Sequence, residues 1–278
     1  MKPKRVYSEN ATFQMFEVLK TNRNKRYKYH VFLVEGVRNI NHAIKYGWEI
    51  KSFLYSSEQP LSGWAYGILK DVATEINYDL APHLMEKISD KEDTSELMAI
   101  VSMKDENAEF CCLSPNPVLI LFDRPSNKGN LGTLLRSCDS FGVDGLIITG
   151  HAVDIYDPEV IRSSMGSFFC VPFIRVSDNS KIDALVANLK SQYPGLKMIG
   201  TTAHKQTSLF DLDLSGPTML CVGNETDGLN RYLVELSDIM ATIPMSADSS
   251  ASSLNVSCAA SIMLYEVVRQ RIERGGPA

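Results

Sequence analysis
Six short runs of apolar residues, separated by helical patterns, constrain this chain more than any other feature of its sequence. They are VLILF (118–122), DGLIIT (144–149), VPFIRV (171–176), KMIGT (197–201), TMLCVG (218–223) and IMATI (239–243). Helical repeats lie between and after them, in LGTLLRSCDSFG (131–142), PEVIRSSMG (158–166), KIDALVANLK (181–190), NRYLVEL (230–236) and the long SLNVSCAASIMLYEVVRQRIE (253–273). A strand that is apolar throughout, rather than at every second residue, is covered on both faces. Helices between such strands supply the cover, so this part of the chain predicts an α/β fold on a parallel sheet. Ligands of open parallel sheets bind beyond the carboxyl ends of the strands. Chemistry is therefore to be sought in the loops that follow the strands.

The first 105 residues carry an α/β alternation of their own. NATFQMFEVLK (10–20) reads as a helix, VFLVEG (31–36) as a strand leading into the helix VRNINHAIKYG (37–47), and IKSFLYS (50–56) as a strand. GWAYGILKDVATEI (63–76) is helical and ELMAIVSM (96–103) is a third strand. MKDENAEFCCLSPNPV follows, with charges, Ser, Asn and two prolines, the composition of a linker. The expected organisation is a small domain at 1–105, a linker at 106–116 and a larger domain at 117–278.

A length of 278 residues, 44% hydrophobic and 22% charged, is ordinary globular composition. No apolar run approaches the ~18–20 residues of a membrane helix. MKPKRVYSENATF has positive charge but no apolar core of a secretory signal, so the expected location is the cytoplasm and no membrane is expected as partner. The six cysteines form no C-x-x-C pair and the five histidines no H-x-x-x-H, so no metal site is expected. Net charge is −5, yet residues 1–30 hold eight Lys or Arg against Glu9 and Glu17. In KTNRNKRYKYH the cations Arg23, Lys25, Arg26 and Lys28 interleave with Tyr27 and Tyr29, a pattern that suits a phosphate backbone with stackable bases. A solvated helix end would give the same composition.

Three loops after strands stand out. In SNKGNLGTLLR, Gly129 and Gly132 flank Asn130, and Arg136 lies about one turn inside the next helix. No G-K-[ST] follows, so the loop is not a P-loop, and it is not G-x-G-x-x-G. Taken alone, a GxxG turn is often only a tight connection. CVGNETDGLN (221–230) brackets Asn224 and Glu225 between Gly223 and Gly228, either to hold a polar ligand or as a capped loop. IPMSADSSASSLNVSCAASIMLYE (243–266) sets a serine-rich loop before an apolar helix, with Ser252 or Ser253 expected as its N-cap. The start of that helix offers free amides to an anion or carboxylate. Its apolar first turns are to be buried in the domain or against a partner subunit.

In order, these loops resemble the three signature motifs of the SpoU family, the TrmH-like RNA 2'-O-ribose methyltransferases. The first is matched by Asn130, Gly132 and Arg136, the second by Gly223, Asn224, Glu225 and Gly228. The third is matched by IPM (243–245) and SLNVS (253–257), with Glu266 completing the helix pattern. IRSSMGSFFCVPF (161–173) is similar to the segment between the first two motifs, and the resemblance covers about 116–272. SADSSAS makes the third motif longer than the family pattern. RYKYHVFLVEGVRNINHAIKYGWEIKSFLYS is similar to the substrate-recognition domain of many members, itself akin to a ribosomal RNA-binding protein.

The resemblance implies a trefoil-knotted parallel-sheet methyltransferase domain, an exception to the rule that chains do not knot, preceded by a small α/β RNA-recognition domain. It implies S-adenosyl-L-methionine bound through groups around Gly223, Ile243 and Leu254, with Asn224 beside them. A homodimer with its active site at the interface is implied as well. Arg136 is then the catalytic residue, Asn130 holds RNA or shapes the loop, and Glu225, Ser253 and Asn255 position the arginine and the hydroxyl. A guanidinium has a pKa above ~12, which favours a phosphate clamp over a general base. The basic run Arg23, Lys25, Arg26 and Lys28 acquires the role of RNA contact. The separate recognition domain favours ribosomal RNA over transfer RNA. Competing readings are a tRNA methyltransferase, a non-catalytic RNA-binding protein on the same scaffold, a base methyltransferase on a related knot, and a dinucleotide enzyme, whose glycine fingerprint is missing after VLILF.

Overall fold
The computed structural model describes residues 2–104, 110, 113–204 and 206–276. Most of the stretch expected as a linker lies outside the described residues. In chain order the first elements are β1 (Lys4–Val6), α1 (Ala11–Thr21), α2 (Arg23–Tyr29), β2 (Val31–Glu35), α3 (Val37–Lys45), β3 (Ile50–Tyr55), α4 (Gly63–Asp71), β4 (Tyr78–Leu80), α5 (Pro82–Ile88) and β5 (Leu97–Ser102). There follow β6 (Val118–Asp123), α6 (Lys128–Ser140), β7 (Gly145–Thr149), α7 (Pro158–Ser164), β8 (Phe173–Val176), α8 (Asn179–Gln192), β9 (Lys197–Thr201), β10 (Thr207–Ser208), β11 (Thr218–Val222), α9 (Arg231–Leu236), β12 (Ile239–Thr242) and α10 (Val256–Glu273). Two compact units form, one from Met1–Asp105 with Asp154–Cys170, the other from Glu106–Val153 with Val171–Ala278. The first is therefore discontinuous in sequence, because the connection from β7 to β8 contributes α7 to it.

The first unit is built on a five-stranded sheet in the order β1-β4-β3-β5-β2. β5 runs antiparallel to β2 and β3, while β4 is parallel to β3 and β1. Asn10 starts α1 by accepting from the Thr12 and Phe13 amides, and that helix lays Phe13, Phe16 and Leu19 on Leu33, Leu54, Leu84 and Met98. The segment 154–170 adds Tyr156, Phe168 and Phe169 to an aromatic cluster with Phe32 and Trp48, and the Trp48 indole donates to the Phe169 carbonyl at 2.9 Å.

The second unit carries seven strands in the order β10-β12-β9-β11-β6-β7-β8, every pair parallel. All residues of β6, β7 and β11 are buried, as continuous apolar strands require. Leu119 and Leu121 pack with Ile182, Leu185, Val186 and Leu189 of α8 and Leu233 of α9. Residues of the other parity, such as Ile120 and Phe122, face the opposite side, where α6 and α10 pack together. Buried Leu131, Leu134 and Leu135 of α6 and Ala260, Met263, Leu264 and Val267 of α10 form that layer. The loops after β6, β11 and β12 thus emerge at one end of the sheet.

Candidate active site
The chain leaves β6 through Arg124 and Pro125, and Asn127 opens α6 by accepting from the Asn130 amide at 2.9 Å. Opposite stands Glu225, on the turn after β11. Its carboxylate accepts from the Ser126 hydroxyl (2.6 Å), the Ser126 and Asn127 amides (3.0 and 3.2 Å) and the Asn130 side-chain amide (3.2 Å). Partial burial pushes this carboxyl up. The Ser126 hydroxyl and amide, with Asn130, outweigh it and hold Glu225 below the usual carboxylate range. The carboxylate is therefore ionised and occupied by donors, which makes it an organiser of the loop rather than a free base.

Asn130 joins this turn to the third loop. Its Oδ1 accepts from the Asn255 side-chain amide at 3.0 Å, and its backbone carbonyl accepts from the Ser257 hydroxyl at 2.9 Å. Asn255, not Ser252 or Ser253, is the N-cap of α10, its Oδ1 accepting from the Ser257 and Cys258 amides. The same side chain thus starts the helix and ties it to α6. A serine hydroxyl at 252 or 253 stands before that position, in a loop exposed throughout 244–255. Ser137 and Ser261 join α6 and α10 again at 2.7 Å.

The other expected residues divide. Asn224 folds its own turn, accepting from the Thr226 and Asp227 amides and pairing with Gly228 through two backbone bonds of 3.0 Å. Gly223 is needed because that turn closes on it: a Cβ there would lie 2.1 Å from the Gly228 carbonyl carbon. Ile243 is half-buried, while Leu254 and Ser253 are exposed. Arg136 is exposed and, among the described residues, makes no hydrogen bond or ion pair with the cluster. Six residues at about 100° each set it roughly 120° around α6 from Asn130, so within one chain the arginine faces away from the amide–carboxylate cluster.

Arg26 corrects an expectation. Its side chain is 1% exposed and salt-bridged to Asp154 at 2.7 Å and Asp157 at 3.3 Å, and it donates to the Leu19 and Lys20 carbonyls at 2.9 and 3.0 Å. With its donors engaged inside the first unit it has none for an RNA phosphate. Lys28 is exposed, Arg23 and Lys25 are half-buried, and Arg23 and Lys28 lie over the rings of Tyr27 and Tyr29.

Ser126, Asn127, Asp123, Asn230 and Ser257 were not anticipated. Asp123 is fully buried at the end of β6 and accepts from the Thr149 hydroxyl and from both the backbone and side-chain nitrogens of Asn230. A lone carboxylate ending an apolar strand, and an Asn three residues before Asn130, were the available signals. Among the described residues no group of three or more His, Cys, Asp or Glu is arranged to hold a metal ion. No described helix is long and apolar enough to cross a membrane.

Comparison with known proteins places these loops in context. Residues 117–265 match the model of the SpoU rRNA Methylase family, and residues 10–99 match the SpoU L30e-like domain. A 23S rRNA (uridine(2479)-2'-O)-methyltransferase of Streptomyces viridochromogenes is 40% identical over 97% of this chain and 93% of its own length. The 23S rRNA (guanosine(2553)-2'-O)-methyltransferase RlmP of Bacillus subtilis is 28% identical over 88% of this chain and 91% of its own. The crystal structure of the SpoU methyltransferase AviRb from Streptomyces viridochromogenes, in complex with the cofactor AdoMet, superposes with a TM-score of 0.90 at 40% identity, covering 96% of this chain and all of that one (100%).

Proposed function
This chain belongs to the SpoU rRNA methylase family, and from that premise we propose that it transfers a methyl group from S-adenosylmethionine to a ribose 2'-hydroxyl of folded ribosomal RNA. The observation that carries the reading is the side-chain series Glu225–Asn130–Asn255, which links the loops after β11, β6 and β12 through bonds of 3.2 and 3.0 Å. Both amides and the carboxylate are largely spent on one another and on local backbone. They form a rim tied by these bonds, with exposed Ser253 two residues before Asn255; exposed Arg136, on another face of α6, is likewise left to meet RNA.

The residues around β12 and α10 suit the cofactor chemically. Half-buried Ile243 and exposed Met245 and Leu254 present apolar surface at the carboxyl end of the sheet, which suits the purine ring of the cofactor. With Gly223 and Asn224, Ile243 and Leu254 would hold it. When bound, S-adenosylmethionine supplies an electrophilic methyl on a sulfonium, open to an oxygen held in line with it. The planar fork of Arg136 suits a phosphate beside the target ribose. Ser253 offers a hydroxyl to orient the 2'-oxygen. Glu225 and Asn255 act by fixing Asn130 and the entry to α6.

We assign RNA recognition to residues 1–105, with Arg23, Lys25 and Lys28 as backbone contacts, a linker at 106–116 and methyl transfer to 117–278. The proposal includes a trefoil-knotted sheet, a cytoplasmic location beside the RNA and a homodimer. An apolar stripe on α10 supports the dimer: Ile262, Tyr265 and Ile272 are 40%, 58% and 50% exposed, in line with exposed Cys258. A second copy covering that stripe would also offer its own loops to an arginine that faces away from the cluster in its own chain.

The test is transfer from labelled S-adenosylmethionine to unmodified ribosomal RNA and, separately, to transfer RNA. The reading expects label in ribosomal RNA, and a loss of more than about a hundredfold in Arg136→Ala at unchanged thermal stability. Transfer to tRNA alone would contradict the substrate. Absence of both cofactor binding and transfer would identify a non-catalytic RNA-binding protein.

A further inference from the structure
Arg124 stands directly beyond β6, at the ligand-binding end of the sheet, and is the one non-glycine residue among those described in the second unit with a left-handed backbone, φ 49°. Such a conformation is unfavourable for any side chain and persists where the surroundings impose it, commonly at functional sites. The surroundings here are specific. The Arg124 amide donates to the Thr149 carbonyl at 3.0 Å, and its own carbonyl accepts from the Asn224 side-chain amide at 2.7 Å. Its Nη2 donates to the Gly228 carbonyl at 3.0 Å and its Nε to Asp123 at 3.0 Å.

Asn224 and Gly228 are the two feet of the turn that carries Glu225, and they pair with each other. Arg124 therefore grips both feet, one with its carbonyl and the other with its guanidinium. Asp123 anchors the grip from beneath through Thr149 and Asn230. Gly150 leaves room for the arginine stem, since a Cβ there would come within 2.6 Å of Arg124 Cγ. A turn alone would be served by glycine, which adopts left-handed backbone without penalty. The guanidinium is what glycine would lack.

We propose that Arg124 is a positioning residue for methyl transfer: it fixes both feet of the Glu225 turn and, through Glu225, the placement of Asn130 and Asn255. This rests on the methyl-transfer reading above. The turn is held from the side of β6 as well as by its own backbone pair, so loosening the grip disorders Glu225 while leaving β11 and the cofactor-side Gly223 in place.

The test uses the full chain with Arg124→Lys and Arg124→Gly. Lysine keeps a positive charge beside Asp123, but one ammonium cannot reproduce the fork that reaches both Asp123 and Gly228. Both variants are expected to lose roughly tenfold or more in kcat, with KM for RNA within about twofold. Arg124→Lys is expected to keep its melting temperature within about 2 °C, while amide exchange across 224–228 quickens by about tenfold. Should Arg124→Gly be unstable because Asp123 is stranded, the lysine variant still decides. Wild-type kcat in Arg124→Lys, or unchanged exchange at 224–228, would overturn the proposal. An inactive wild type would instead count against methyl transfer, and the exchange measurement would still accept or reject the grip.

Discussion
Replacing Arg26 with alanine removes the cation from between Asp154 and Asp157, whose side chains are 4% and 13% exposed. It also removes the donor that serves the Leu19 and Lys20 carbonyls at the end of α1. Removing one side of a buried ion pair costs about 3–5 kcal/mol, because the remaining charge stays desolvated. A surface cation shaved to alanine changes stability by no more than about 0.5 kcal/mol. For a unit of this size the larger figure lowers the melting temperature by on the order of 10–20 °C. Both tryptophans, Trp48 and Trp64, lie in the first unit, so selectively excited tryptophan fluorescence during urea unfolding reads that unit by itself. The expected result is an early fluorescence transition for Arg26→Ala. An unfolding free energy within about 0.5 kcal/mol of wild type, accompanied by weakened RNA binding, would refute the structural role and restore Arg26 to the RNA surface.

Gly223→Ala forces a Cβ against the Gly228 and Leu229 backbone at 2.1 and 2.2 Å. Overpacking of about 1–3 kcal/mol is expected, read as weaker S-adenosylmethionine binding by calorimetry. Because Glu225 is held below the ordinary glutamate value of 4.5, its contribution to loop order is complete above that value and fades as pH falls through its lower folded-state pKa. The methyl-transfer rate should thus be insensitive to Glu225 ionisation between about pH 5 and 7, with an acid limb that disappears in Glu225→Gln. Ile262→Glu combined with Tyr265→Glu places two charges on the exposed stripe of α10 and should give a monomer in sedimentation, against a dimeric wild type, with methyl transfer lost.

The parallel sheet was readable because β6, β7 and β11 are buried throughout, and helices of six to fourteen residues stand between most of the apolar runs. The two-residue TS strand β10 carried no such signal. β1 and β4, KRV and YDL, are three residues each and carry no period. They form by backbone pairing, β1 with β4 across Lys4–Tyr78 and Arg5–Asp79, and β4 on its other edge with β3 across Leu54–Tyr78. α5, PHLMEKI, is a seven-residue helix begun by Pro82 and stabilised by burial of Leu84, Met85 and Ile88 rather than by a long local pattern. Arg26 was misread because its partners stand 128 and 131 residues away, and nothing in KTNRNKRYKYH distinguishes an inward cation from its outward neighbours. The helical period of α2 separates Arg26 from Lys25 and Lys28, but only the packed segment 154–170 decides which face turns inward. At the candidate site, Asn130, Glu225 and Asn255 stood out as polar residues in glycine- or serine-bounded loops. Their mutual bonds did not, since 95 and 125 residues separate the pairs.

The most direct test of the central claim is the chemistry of the product. Ribosomal RNA labelled by the chain with S-adenosylmethionine would be hydrolysed in alkali and its nucleotides separated. A methylated 2'-oxygen cannot attack the adjacent phosphate, so the account predicts label in alkali-stable dinucleotides. Label recovered in mononucleotides would mean methylation of a base and would contradict it.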